Sequence, residues 1–171
     1  MYNSTAFARH INLTEPKGIM IHSSVLHHSY LRYYVRPDSK NKNSAEITDK
    51  LGFNKQFFDY NHTHRSHNFN YWIGKAKNNS VITVKALPTN IHSWESDKLI
   101  HICICEDNLD NEQYLLDCFT QAINLCKELC FEYDWDSEQI HYPKEDFQYW
   151  FNKYSFDEKW FKEKLDKEKK L

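Results

Sequence analysis

Residues 17–38, KGIMIHSSVLHHSYLRYYVRPD, decide how the rest of the chain is read. The stretch opens on Gly18 and the apolar run Ile19–Met20–Ile21, then meets His22, Ser23 and Ser24. A short apolar run of this length reads as a buried strand. A histidine at its end, followed by small hydroxyl residues, aims an imidazole into a cleft. Leu31, Tyr34 and Val35 then fall at helical spacing, and Pro37 stops the helix because it disfavours helical geometry at the residue before it.

Further along, Phe69 to Lys75 and Val81 to Leu87 read as two strands around the turn KNNS, a hairpin that Pro88 closes. LIHICIC, residues 99–105, alternates strictly. Ile100, Ile102 and Ile104 belong to one face, and His101, Cys103 and Cys105 to the other. Leu115, Phe119, Ala122, Cys126 and Leu129 form a stripe at helical spacing, which predicts a core-facing helix over 111–131. Asp110 with Gln113 three residues on reads as its capping box. A short helix from Ser44 to about Leu51, a strand from Gln139 to Tyr142 and a final helix capped by Ser155 and Glu158 complete the elements. Strands alternating with helices give the expectation of an α/β fold, with a central mixed β-sheet flanked by helices. One domain over residues 1–171 is expected at this length, with 1–16 irregular and no linker or repeat.

The bulk numbers narrow the function classes. A net charge of −2, with both signs mixed, gives no general attraction to nucleic acid or to an anionic membrane. The lysine-rich end, KEKLDKEKK, reads as a solvated helix end. Five cysteines form no CxxC pair and read as buried thiols behaving as small hydrophobes. His62, His64 and His67 crowd one polar stretch; His-rich tracts bind metal, but here no periodic element fixes the rings, so a solvated loop is the expectation. The opening MYNSTAFARHINLT has no apolar run of signal-peptide length, and no window has the length of a membrane span. Synthesis in the cytoplasm is therefore expected.

Taken in order, the glycine, the apolar triplet, His-Ser-Ser and then LRYYVRPD resemble the first zinc-ligand strand of N-acetylmuramoyl-L-alanine amidases of the amidase-2 type, the family of phage endolysins and peptidoglycan recognition proteins. FNYWIGK with VITVKALP resembles that family's hairpin, LIHICICEDN its central strand, and IHYPKEDFQYWF its last ligand segment. The resemblance implies a zinc ion held by His22, His141 and Asp146, with one position left for water, which is the general arrangement of a catalytic zinc. Asp146 is placed by the Asp-x-x-x-Trp-Phe pattern that ends at Trp150 and Phe151. The implied reaction is hydrolysis of the amide between N-acetylmuramic acid and L-alanine, with peptidoglycan or a muropeptide as partner.

Three positions depart from the family pattern. Cys103 stands where bacterial relatives carry a catalytic glutamate, Asn70 where they carry a histidine, and HSWESDK replaces a longer Gly-rich loop. Lys144 matches the place of a catalytic lysine that stabilises an oxyanion; it reads equally as a solvated loop lysine. Cys103 is a candidate catalytic or metal-binding thiol, together with His101, or a plain replacement. Glu106 falls on the opposite face of the strand and is a poor substitute for the missing glutamate. The second reading is therefore a degenerate amidase scaffold that binds or inhibits a partner protein.

Overall fold

The computed structural model describes residues 15–24, 28–35, 44–52, 69–90, 98–107, 110–142 and 153–167. Five strands form one mixed sheet: β1 (Gly18–Ser23), β2 (Tyr71–Lys75), β3 (Val81–Lys85), β4 (Leu99–Ile104) and β5 (Ile140–His141). Their order is β3-β2-β4-β1-β5. β1 runs parallel to both β4 and β5, and β2 runs parallel to β4, while β3 closes the far edge as the antiparallel arm of the hairpin. The helices are α1 (Ser44–Leu51), α2 (Glu112–Tyr133) and α3 (Glu158–Lys167). The expected α/β class and mixed sheet are what the chain forms.

The alternation read in β4 holds in three dimensions. Ile100, Ile102 and Ile104 join Ile19 and Ile21 of β1, and Tyr71 and Ile73 of β2, in a core covered by α2 and α3. From α2 come the predicted stripe, Leu115, Phe119, Ala122, Cys126 and Leu129, and two more thiols, Cys118 and Cys130, among others, and from α3 come Phe161 and Leu165. The other face buries Trp72, Cys103 and Cys105 beneath Leu31, Tyr34, Val35, Leu51 and Phe69. Tyr34 stacks on Trp72 at 5.0 Å between ring centroids, and Phe69 meets the same indole edge-on at 4.9 Å. Aromatic rings thus join the aliphatic side chains and thiols in both clusters.

Several local expectations shift. The segment after β1 is a single 3₁₀ turn, Leu31–Tyr33, rather than an α-helix. It is held beside β2, where Lys75 N–H donates to Ser29 O at 2.7 Å. Gly74 makes that approach feasible: a Cβ there would lie 2.8 Å from Ser29 O and 2.9 Å from Cys105 Sγ. α1 ends on Gly52 at φ 85, whose N–H donates to Thr48 O. That is the left-handed exit for which glycine is suited. Asn111, not Asp110, caps α2, accepting from Tyr114 N–H at 3.0 Å, while Asp110 pairs with Lys153 at 2.6 Å. Gln113 bonds Asp117 within the helix instead of closing a capping box. Likewise Asp157 rather than Ser155 caps α3, accepting from Trp160 N–H at 2.7 Å. β5 is shorter than expected, two residues instead of four.

The connections give the sheet its functional edge. The chain leaves β1 toward β2 over the face of Leu31 and Leu51, and leaves β4 toward β5 over the opposite face through α2. Crossovers between parallel strands share one hand, so those that depart in opposite directions lie on opposite faces. β1 and β4 are neighbours whose outgoing segments leave on opposite faces, each passing across the other's strand. In open α/β sheets ligands sit outside the carboxyl ends of the strands. Among the described residues, no helix is long and apolar enough to cross a membrane.

Candidate functional site

His22 lies one residue from the carboxyl end of β1, on the face of Trp72 and Cys103. It is almost covered, at 8% exposure. Its register neighbour on β4 is Cys103, while Met20 is level with His101. His22 therefore reaches diagonally across the strand pair, and its Nε2 meets His101 Nδ1 at 2.7 Å. The two rings lie nearly parallel, 5.0 Å between centroids, and the Phe69 ring packs tilted against His22 at 5.1 Å.

His101 is itself held from the other side. Asn70 N–H donates to His101 O at 2.9 Å, and His101 N–H donates to Asn70 Oδ1 at 2.8 Å. The remaining amide group of Asn70 donates to Pro88 O at 2.9 Å, and Asn70 is fully buried. A side-chain amide thus extends the β2–β4 ladder past the end of β2 and ties it to the end of the hairpin.

Ser23 and Ser24 serve the strand tips. Ser23 points away from His22 and donates its hydroxyl to a Glu106 carboxylate oxygen in a buried bond. Ser24 Oγ accepts from Glu106 N–H at 2.9 Å and from the Tyr34 hydroxyl at 3.3 Å. Glu106 thus stands on the face opposite His22, as strand alternation requires, and its work is to lock β4 to β1. The same geometry excludes a Ser–His–Glu triad. Ser23 and His22 are on opposite faces, and a triad needs the imidazole within hydrogen-bond reach of the hydroxyl.

His141 ends β5, with its side chain exposed and on the face opposite the buried Ile140, which is the face of His22. Met20 is its register partner, so His101, Met20 and His141 form one cross-strand row with His22 one step beyond. Strand spacing and rise put the His22 and His141 Cα atoms about 8 Å apart, a separation from which two imidazoles can converge on one ion. Asp146 and Lys144 lie outside the described residues, as do His62, His64 and His67. Among the described residues no three His, Cys, Asp or Glu side chains gather as a metal cage. The contact between His22 and His101 has hydrogen-bond length. Two nitrogens bound to one tetrahedral zinc sit about 3.3 Å apart.

Cys103 shares the face of His22 but is sealed, with 0% exposure, among the Trp72, Tyr34 and Phe69 rings. The other thiols are as closed, and all five are unbonded to one another. Burial pushes Cys105 and Cys126 well above the ordinary thiol range and Cys118 up to about 12.

No family model matches the chain. No curated protein and no solved structure matches it either.

Two features of the site escape sequence reasoning. His101 is the partner of His22, and Asn70 is the brace of His101; both contacts depend on β4 lying between β2 and β1. The alternation of LIHICIC places His101 on a polar face, but only the strand order says which histidine it meets. Lys75, at the carboxyl end of β2, also turns to this edge, pairing with Asp107 at 3.1 Å.

Proposed function

We propose that the chain is a zinc-dependent hydrolase of the N-acetylmuramoyl-L-alanine amidase kind, cutting the amide between N-acetylmuramic acid and the first L-alanine of peptidoglycan. One observation carries this reading. His22 and His141 stand on adjacent parallel strands, on one sheet face, at the carboxyl edge of the sheet. Two neutral imidazoles so placed are two of the three protein ligands of a catalytic zinc, and Asp146 would be the third. Zinc in such a site lowers the pKa of bound water to about 7 and polarises the scissile carbonyl. Lys144 would face the oxyanion that develops in the transition state. Phe69 and the ring cluster behind it keep water from the ring of His22, which strengthens its interactions with charge.

A second reading, a scaffold that binds a muropeptide or a partner protein without hydrolysis, is favoured by Cys103. The sealed thiol has no route to a substrate, and Glu106 is engaged with Ser23 on the far face. β4 therefore offers no carboxylate beside His22 to carry the proton of the leaving amine.

Purified peptidoglycan separates the two. The zinc-loaded protein is expected to release free alanyl amino termini, and a chelator or His22→Ala to stop it. Zinc affinity in His22→Ala should fall by more than the roughly 10–100-fold that loss of an outer partner costs. Zinc-loaded protein that leaves the wall uncut at every pH where it stays folded refutes hydrolysis; muropeptide binding without cutting then supports the second reading.

A further inference from the structure

The His22–His101 contact assigns a role to a residue that the ligand set leaves out. We infer that His101 is the positioning partner of His22: it accepts the Nε2–H of His22 and so fixes the tautomer that carries its lone pair on Nδ1. The inference rests on the metal-site reading above and names which nitrogen would ligate.

The geometry supports it at each step. The Nε2···Nδ1 separation of 2.7 Å suits a hydrogen bond and is too short for two ligands of one ion. His101 is 1% exposed, so solvent does not compete for its ring. Its backbone is tied on both sides to Asn70, whose side chain is anchored to Pro88 O. The imidazole that receives His22 thus projects from a backbone that cannot swing away. Ligating histidines generally pass their second ring N–H to such a partner, which sets the tautomer and the ring plane. Here that partner is another imidazole on the next strand, where a carboxylate or a carbonyl is more usual. The arrangement also explains the neighbouring sequence: Asn70 braces the partner, and His101 lies on the face of β4 that His22 shares, opposite the isoleucine face.

Two measurements on the full chain test the assignment. In zinc-free protein labelled with ¹⁵N-histidine, long-range ¹H–¹⁵N spectra should show His22 protonated on Nε2. Zinc affinity, read by competition with a chromophoric chelator, should fall roughly 10–100-fold in His101→Leu. It should return to within about threefold of wild type in His101→Asn, whose Oδ1 hangs from Cγ as Nδ1 does. Should the leucine variant fail to fold, His101→Gln carries its amide one carbon further out and should show the same loss. A His22 protonated on Nδ1, or a zinc-binding wild type matched by His101→Leu or His101→Gln, overturns the positioning role and leaves the amidase reading standing. A wild type that binds no zinc overturns both.

Discussion

At the scale of single residues, the site edge is built from hydrogen bonds that serve two different ends, and substitution separates them. Glu106 is 6% exposed and receives the Ser23 hydroxyl in a buried bond. Removing the carboxylate would leave that hydroxyl dry and without its acceptor, which costs about 1–3 kcal/mol. Glu106→Ala is therefore expected to lower stability by that amount in urea unfolding. Glu106→Gln, which keeps an amide oxygen of the same reach, should lose under about 1 kcal/mol, since it exchanges a charged acceptor for a neutral one. Equal losses in the two variants would show that the charge, and not the hydrogen bond, is what the site requires. Neither change should alter the tautomer of His22, because the two side chains stand on opposite faces of the sheet. Glu106 is thus a fastener of strand tips, while His101 meets His22 on the other face.

At the scale of elements, α2 shows what a sequence discloses and where it stops. Its stripe is legible because the helical period is local, and every residue of that stripe is buried. Its end is legible only in part. Asp134 adopts φ 55 just past the last turn, and its N–H donates to Cys130 O. An L-residue pays for that left-handed geometry, and a carboxylate there also opposes the negative end of the helix dipole. Asp134→Gly relieves both, so a gain of about 0.5–1 kcal/mol is expected, seen as a raised urea midpoint with an unchanged slope. A loss of stability would show that the Asp134 side chain holds the turn into Trp135. The caps of α2 and α3 lie one and two residues beyond the expected positions, at Asn111 and Asp157, and Asp110 pairs instead with Lys153. The site follows the same division. His22 at a strand end and the two faces of β4 can be read from alternation alone. The bonds of His101 to His22 and Glu106 to Ser23 span 79 and 83 residues, and no local period encodes which strands lie side by side.

At the scale of the whole molecule, the ionisable groups sealed in the two cores set the alkaline limit of the fold. Burial raises Cys118 and Tyr71 to about 12, from ordinary values of 9.0 and 10.0. Desolvation also lifts Cys105, Cys126, Tyr114 and Tyr142 above their usual ranges. Every shift has one sign: the folded chain keeps protons that the unfolded chain releases. Stability is then fully present below the unfolded values and falls as pH rises above them. The loss begins near pH 9.0 with the thiols and steepens past 10.0 as the phenols join. Each group held protonated adds about 1.4 kcal/mol of loss per pH unit while it lies between its two pKa values. Urea midpoints should stay level from neutrality to the thiol range and then drop with increasing slope. Replacing Cys118 with alanine should flatten the first part of the fall, while leaving a cavity that lowers stability at every pH. A midpoint that holds level past the phenol range would mean that these groups reach water in the folded chain, and that the two aromatic-rich cores are far looser than their packing indicates.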